Sequence, residues 1–336
     1  MGIRGILPFL RDFGCMRSVV LKELRKTSRD KGPVKIAIDF NQFIFQYIYS
    51  YNKYNICDEL HRYLEYKFRK LIEKFKENGI EVIFVMDGIP SVDKKSTISK
   101  RKGKVEKNIS RYNEMSPEQK SETQFKRLTT HITYDDCNHM EEFFKSNKIP
   151  FIHHDKYEAD VVCKWLVEYG FADYSLSNDT DLLAYGCKHI LLDFDFASNS
   201  VTYIDYLEML KIIELSQSQF LDLCISCGSD YNSRFTTTKI VYQLLKLSSD
   251  DLHKPLYDNL VDIINDITNI INTSNERLGE SIEFLCPPKS LDYDKVCSIF
   301  NTILERKDMI SFLELGRIYI KKKYDGSSID DIESVY

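Results

Sequence analysis

Seven carboxylates, several of them directly after short apolar runs, are the residues of this chain best suited to chemistry. They are Asp39, Asp87, Glu158, Asp160, Asp179, Asp181 and Asp230. So many acids in one cleft would repel one another unless cations lay between them. Oxygen ligands favour Mg²⁺, with Mn²⁺ as a substitute, over Zn²⁺. Two such ions about 4 Å apart activate a water and stabilise the leaving oxygen in phosphodiester cleavage. The acids therefore predict a metal-dependent phosphodiester hydrolase.

The elements that must position these acids are short buried strands. Apolar runs at residues 34–38, 80–86 and 174–176 lead into Asp39, Asp87 and the segment that contains Asp179 and Asp181. Ligands gather at the carboxyl ends of strands in open parallel sheets, so we expect these side chains to converge. A single Asp after a strand is more often a turn or helix N-cap residue. The ordered set favours a shared site over that alternative.

The remaining pattern alternates strands with helices. Further strands are predicted at residues 149–152, 189–192 and 201–204, and helices at 58–78, 117–148 and 159–169. Such alternation predicts an α/β fold with a parallel sheet between helices. Residues 91–116 are polar and basic and are interpreted as a surface arm. From Asp205 onward the pattern is helical.

Charge is distributed unevenly along the chain. The net charge is −5, yet residues 93–127 contain eleven Lys and Arg against five Asp and Glu. A basic arm beside a carboxylate cluster suits a polyanionic substrate, because the arm binds phosphates while the acids bind cations.

As an ordered set, these motifs resemble the flap endonuclease/XPG family of structure-specific 5′ nucleases over about residues 1–245. The matching segments are residues 1–6, 85–88, 125–128, 157–160, 177–183 and 228–231. The resemblance implies a PIN-like, mostly parallel sheet flanked by helices in a nuclease core of residues 1–205. It also implies a helical arch at about 91–130 and a helix-turn-helix-like duplex-binding region at 206–250. The apolar spacing of residues 251–336 predicts a helical C-terminal extension.

The resemblance implies that the seven acids hold two Mg²⁺ ions. Lys94 and Arg101 would bind the scissile phosphate at the base of the arch, although a solvated basic face would explain both charges. Phe45 would stack on a base, unless it packs in the core. Gly2 would let the backbone approach the substrate. Further substrate contacts would come from Lys126, Arg127 and Lys239.

The segment after residues 228–231 departs from the family, which usually has a glycine-rich hairpin and a K⁺ site there. Residues 232–239 contain no glycine. Lys239 is the best candidate for a retained contact with the nucleic-acid backbone. The sequence does not predict whether a K⁺ site is retained.

The predicted function is cleavage of DNA at flaps, nicks or 5′ ends in replication, repair or recombination. One alternative is an RNA-cleaving endonuclease of the host-shutoff type on the same scaffold. The other is a non-catalytic nucleic-acid-binding module, which the presence of all seven acids disfavours. The expected partner is branched or nicked DNA, or RNA under the first alternative. No membrane association is expected, no sliding-clamp motif is visible, and a monomer is expected.

The cysteines and the first residues bear on the compartment. There are nine cysteines, an odd number without framework spacing, which favours reduced thiols inside a cell. Cys224 and Cys227 form one CxxC pair, which is more typical of buried thiols than of a zinc site. Charged residues interrupt the first 25 positions, so no secretory signal is predicted. The expected location is the nucleus, or the host nucleus or cytoplasm for a viral protein.

Overall fold

A computed structural model describes residues 2–27, 32–88, 95–116, 120–153, 157–230 and 237–247. The predicted C-terminal extension at 251–336 lies outside these residues. The strands, in chain order, are β1 (Arg17–Val20), β2 (Val34–Asp39), β3 (Ile80–Met86), β4 (Phe151–His153), β5 (Tyr174–Leu176), β6 (His189–Asp195) and β7 (Ser200–Asp205).

These strands form one seven-stranded sheet in the order β1-β7-β6-β5-β2-β3-β4. Strand β2 pairs in parallel with β3 and with β5, and further parallel pairs join β3 to β4 and β5 to β6. The mostly parallel α/β sheet confirms the predicted fold class. Because β2, β3 and β5 are parallel neighbours, their carboxyl ends lie at one edge.

The α-helices of the described residues are α1 (Ile6–Asp12), α2 (Phe40–Tyr54), α3 (Leu60–Glu77), α4 (Lys95–Glu114), α5 (Glu122–Leu128), α6 (Tyr134–Ser146), α7 (Ala159–Glu168), α8 (Asp181–Ala184), α9 (Tyr206–Ile213), α10 (Gln217–Cys227) and α11 (Thr238–Leu247). None of them is long and apolar enough to cross a membrane.

The described residues form two compact units. The sheet unit comprises residues 18–27, 32–88, 95–116, 120–153, 157–178 and 189–203, and the helical unit comprises residues 2–17, 179–188, 204–230 and 237–247.

The core of the sheet unit lies between the sheet and helices α2, α3 and α6. Alternate residues of β3 enter this core, among them Val82 and Phe84. The ring of Phe84 stacks on Phe144 of α6 at 4.8 Å and meets Phe68 of α3 edge-on at 5.4 Å. Helix α7 also packs on β2, β3 and β5. Burial of these apolar faces gives the strand ends a rigid support.

The helical unit is held together by aromatic and backbone contacts. Phe9 of α1 packs against Tyr242 of α11 with ring centroids 5.2 Å apart. The hydroxyl of Tyr242 donates to the carbonyl of Ile213 at the end of α9. The amide of Arg4 donates to the carbonyl of Gly228, which follows α10, at 3.1 Å. The chain start is thereby fixed to the segment that precedes Asp230.

Two of the differences from the sequence prediction concern helices that pack beside the sheet. Helix α2 is absent from the predicted elements, although its buried residues recur at helical spacing: Phe40, Phe43, Ile44, Tyr47 and Ile48. Its many aromatic and β-branched residues favour strands intrinsically, and burial against the sheet overrides that preference. The single helix predicted over residues 117–148 is wrong. Helices α5 and α6 occupy its described part, and Ser121 and Thr133 provide separate N-caps.

Candidate metal centre

Asp39 ends β2 and is also the N-cap of α2. Its Oδ1 accepts hydrogen bonds from the backbone amides of Asn41 at 3.0 Å and Gln42 at 3.4 Å. Its Oδ2 accepts a hydrogen bond from the hydroxyl of Ser177 at 2.8 Å. The helix-capping alternative therefore holds for this residue. The contact with Ser177 also fixes the end of β5 to the end of β2.

Asp87 directly follows β3 and connects it to two other elements. Its Oδ1 accepts from the amide of Ala159 at 2.7 Å, and its Oδ2 accepts from Nδ2 of Asn41 at 2.5 Å. Ala159 begins α7, whose N-cap is Glu158 and whose first turn contains Asp160. Asp87 thus takes a capping role at α7, and a carboxylate there is favoured by the helix dipole. Glu158 and Asp160 therefore lie at the same helix start that Asp87 contacts.

Asp179 and Asp181 lie in the helical unit around the start of α8. Oδ1 of Asp179 accepts from the amide of Asp181 at 3.1 Å. The side chain of Asp181 is completely buried. The hydroxyl of Thr180, between them, donates to the carbonyl of Ile3 at 3.4 Å. The first residues of the chain therefore lie against this acidic turn.

Gly2 meets the acidic turn where a side chain would not fit. Its φ is +88°, and an added Cβ would lie under 3.0 Å from Oδ1 of Asp179, Oγ1 of Thr180 and the amide nitrogen of Asp181. Such distances are sterically forbidden, and the positive φ itself favours glycine. The glycine at position 2 therefore lets the backbone pack directly on the residues between Asp179 and Asp181.

Two of the predicted acids lie close together within the helical unit. Asp179 and Asp181 each offer a carboxylate oxygen, and these two oxygens lie within 4.8 Å of each other. Asp181 is fully buried. Buried like charges at this separation repel strongly in a medium of low dielectric, so a bound cation would relieve the repulsion. The all-oxygen donor set fits Mg²⁺ or Mn²⁺.

The CxxC pair lies in α10 close to Asp181 but has the features of buried thiols. Cys224 and Cys227 are completely buried. Burial raises the pKa of the Cys224 thiol well above its usual value, and the negative charges of Cys227 and Asp181 add to this rise. Cys227 Sγ lies 3.3 Å from the hydroxyl of Thr238. A thiol with a raised pKa stays protonated and is a poor metal ligand, so Cys224 packs in the core beside the equally buried Cys227.

The predicted arch residues lie partly outside the description. Lys94 is outside the described residues. Arg101 lies in α4, and its side chain is outside the described part. Phe45 lies on α2 and is 43% exposed, so the alternative of core packing is wrong. Stacking of Phe45 on a base stays a prediction.

The other predicted substrate contacts are basic residues on short helices. Lys126 of α5 forms an ion pair with Glu122 at 2.7 Å. Its neighbour Arg127 is exposed. Lys239 of α11 pairs with Asp12 at 3.0 Å, and both side chains are largely exposed. Exposed pairs of this kind are weak, so phosphates can compete for the cations.

Four polar residues next to the acids were not predicted to have a role. Asn41 and Ser177 donate to Asp87 and Asp39, as described above. Oε1 of Gln42 accepts from the amide of Asn178 at 2.6 Å, and Oδ1 of Asn178 accepts from the amide of Asp193 at 2.8 Å. The polar pair Asn41–Gln42 at the start of an otherwise apolar helix is the signal that could have identified two of them.

Family models match two parts of the chain in the expected order. Residues 1–108 match the XPG N-terminal domain, and residues 148–230 match the XPG I-region. The chain is 29% identical to flap endonuclease 1 of Babesia bovis over 259 residues, which are 73% of this chain and 37% of the relative. It is 26% identical to the probable RAD2-like endonuclease 369L of Invertebrate iridescent virus 6 over 304 residues, covering 74% of this chain and 71% of the relative.

Other flap endonucleases are also longer than the matching region. Flap endonuclease 1 of Theileria parva is 25% identical over 337 residues, covering 97% of this chain and 64% of the relative. The chain thus spans less than two thirds of the lengths of the Babesia and Theileria proteins.

Solved structures share the fold. The catalytic core of Rad2 in complex with DNA substrate superposes with a TM-score of 0.60 at 18% identity, covering 91% of this chain and 86% of that one. The Holliday junction-resolving enzyme GEN1 in complex with product DNA and Mg²⁺ gives a TM-score of 0.57 at 18% identity, covering 93% and 68%. At such identities the likeness shows the fold alone. Since both family models match in order, the chain belongs to the flap endonuclease/XPG family of structure-specific nucleases.

Proposed function

We propose that this chain is a Mg²⁺-dependent, structure-specific 5′ nuclease that hydrolyses phosphodiester bonds of DNA at flaps, nicks or 5′ ends. The observation that carries the proposal is the close pair of carboxylates, Asp179 and Asp181, in the helical unit. Two like charges held this close destabilise a fold unless a cation lies between them, so their presence in a member of a nuclease family supports ion-dependent cleavage.

The ions would be held by the seven predicted carboxylates, with Mn²⁺ able to replace Mg²⁺. They are Asp39, Asp87, Glu158, Asp160, Asp179, Asp181 and Asp230. When bound, Mg²⁺ lowers the pKa of coordinated water and stabilises charge on the leaving oxygen. GEN1 is described with product DNA and Mg²⁺, which supports the choice of ion. Two ions per site are proposed because of the family resemblance.

Hydrogen bonds within the chain orient two of the proposed metal ligands. Ser177 and the amides of α2 orient the carboxylate of Asp39, while Asn41 and the amide of Ala159 orient Asp87. Oriented donors of this kind raise ligand affinity because less side-chain freedom is lost on binding. Such fixed carboxylates suit a hydrolase better than a module that only binds nucleic acid.

The substrate would be held by basic and aromatic side chains around the acids. Lys94 and Arg101 would bind the scissile phosphate, since a guanidinium matches phosphate geometry and Lys adds a point charge. Phe45 would stack on a base. Lys126, Arg127 and Lys239 would contact the backbone elsewhere. We further propose a monomer that acts in the nucleus, or in the host nucleus or cytoplasm if the protein is viral.

The test is cleavage of matched flap DNA, nicked DNA and single-stranded RNA, each with Mg²⁺ and with EDTA. The proposal expects Mg²⁺-dependent cleavage of the flap or nicked DNA. Faster cleavage of RNA than of either DNA would favour the host-shutoff alternative. Binding of flap DNA without cleavage of any substrate in Mg²⁺ or Mn²⁺ would favour the non-catalytic module.

A further inference from the structure

Helix α5, which contains Lys126 and Arg127, is a short helix on the surface. It has seven residues, and none of them is buried. Isolated helices shorter than about 12 residues are marginal in water, and most helices in proteins depend on a packed apolar face. Helix α5 lies against α2 and α4, yet none of its residues is buried, so hydrogen bonds at its ends help to fix its position.

The start of α5 is tied to α4, within the predicted arch. The hydroxyl of Ser121 accepts from the amide of Gln124 at 3.1 Å and caps the helix. Phe125 packs against Tyr112 of α4 with ring centroids 5.1 Å apart, and the Tyr112 hydroxyl donates to the carbonyl of Ser121 at 3.0 Å. These contacts join α5 to α4 but do not connect either helix to the sheet.

The end of α5 is tied to the sheet unit's core through Asn52 of α2. Nδ2 of Asn52 donates to Oγ1 of Thr130 at 2.9 Å and to the carbonyl of Lys126 at 3.4 Å. Oγ1 of Thr130 donates to the same carbonyl at 2.9 Å. That carbonyl is among the last four of α5, which have no partner inside the helix. Oγ1 of Thr129 also donates to it, at 3.4 Å. The Asn52 amide therefore adds a donor from α2 to the hydroxyls that cap α5, and it binds Thr130 as well.

The other end of α2 begins at a proposed metal ligand. Its N-cap is Asp39, and five of its residues are buried in the core. Asn52 lies thirteen residues after Asp39, roughly 20 Å along the helix at 1.5 Å per residue. A rigid helix thus connects a predicted metal ligand to the cap of a basic helix.

We propose that Asn52 is a positioning residue, which holds α5 on α2 so that Lys126 and Arg127 lie at a fixed distance from Asp39. This inference rests on the proposed function. The substrate backbone would be bound by α5 while the bond to be cleaved lies at the acids. Loss of the Asn52 amide would leave the acids unchanged but would let α5 shift, so it would weaken substrate binding more than turnover.

The central variant is Asn52→Asp, which keeps the shape of the side chain and removes the donor. A carboxylate facing the Lys126 carbonyl would repel it. We expect KM for flap DNA to rise about five- to tenfold, as for loss of a hydrogen bond, while kcat changes by less than about twofold. Thr130→Val removes the hydroxyl that donates to the Lys126 carbonyl at 2.9 Å and should also raise KM. It tests the proposal if Asn52→Asp does not fold.

Asn78→Ala is the matched control. Nδ2 of Asn78 donates to the carbonyl of Lys74 at 2.8 Å and so caps α3 in the same way, through a hydrogen bond that does not involve α5. It should leave KM for flap DNA unchanged, whatever its effect on Tm. An equal rise in KM in Asn52→Asp and Asn78→Ala would show a general structural effect and would overturn the proposal. An unchanged KM in both Asn52→Asp and Thr130→Val would also overturn it.

A double-mutant cycle separates positioning from stability. In a Lys126→Ala/Arg127→Ala background, Asn52→Asp should raise KM by less than about twofold further, because its effect acts through those side chains. Full additivity would contradict the proposal. Amide hydrogen exchange gives a readout that needs no activity: residues 122–128 should exchange faster in Asn52→Asp than in wild type or Asn78→Ala. If the wild-type protein cleaves no DNA, the proposed function is wrong. The exchange measurement still tests whether Asn52 holds α5 on α2.

Discussion

The hydroxyl of Ser177 donates a hydrogen bond to Oδ2 of Asp39 across 2.8 Å, and so joins the ends of two neighbouring parallel strands. Asp39 already caps α2 through its other oxygen. The carboxylate is therefore held in one orientation from two sides, which is what a preorganised metal ligand requires.

Ser177→Ala should weaken the affinity for Mg²⁺ by about tenfold, because Asp39 loses the contact that fixes Oδ2. Activity should recover at saturating Mg²⁺, since no proposed ligand is removed. The measurement is cleavage rate as a function of Mg²⁺ concentration. Ser198→Ala, on an exposed turn, is the control. An unchanged Mg²⁺ dependence would mean that Asp39 is held sufficiently by α2 or does not bind the ion.

Asp181→Asn should abolish cleavage, a loss of about 10³-fold or more, while flap DNA still binds. In EDTA the variant should unfold at a higher temperature than wild type, because one member of a buried group of like charges becomes neutral. Asp135→Asn, at a side chain that is 85% exposed, is the control and should change neither property. Normal turnover of Asp181→Asn would contradict the metal assignment.

Gly2→Ala should lower stability and activity together, since its Cβ would collide with the turn between Asp179 and Asp181. Gly14→Ala is a matched control, because Gly14 also has a positive φ, +72°, but nothing lies within 4 Å of an added Cβ. Backbone strain alone costs about 1 kcal/mol, which the control should show in its free energy of unfolding without loss of cleavage. Equal activity of Gly2→Ala and Gly14→Ala would mean that Gly2 does not contribute to the site.

Arg101→Ala should lower kcat by roughly 10²-fold if the guanidinium contacts charge that develops on the phosphate. Lys102→Ala, at the exposed neighbour in α4, should change kcat by less than about twofold. Single-turnover cleavage at saturating enzyme measures the effect without interference from binding. A change confined to affinity would make Arg101 a binding residue only.

The thiols should differ in reactivity at pH 8. Burial raises the pKa of Cys15 and of Cys137 to about 11, and raises the pKa of Cys224 well above its usual value. A raised pKa leaves less reactive thiolate, so among the seven cysteines that the structure describes iodoacetamide should modify the exposed Cys57 first. Peptide mass spectrometry of the native protein, with a denatured sample as control, measures this order. Rapid modification of Cys224 would show that α10 opens under native conditions.

The sequence by itself determined the order of the acids and the strands that precede them. Residues 174–176 were predicted as a strand and form β5, and the run that ends at Met86 forms β3. Short, mainly apolar runs carry this information locally, because most side chains of a strand that is buried on both faces must be apolar. The family resemblance rests on the same local motifs.

Only the tertiary structure decided which polar atoms meet at the acids and that α2 is a helix. Ser177 and Asp39 are 138 positions apart, and Asn41 and Asp87 are 46 apart. Hydrogen bonds between such distant residues leave no periodic pattern in a sequence, because they depend on strand order and on where a helix begins. The role of Asn52 is likewise not predictable from the sequence. Its amide acquires a role only when folding brings the carbonyl of Lys126 to it.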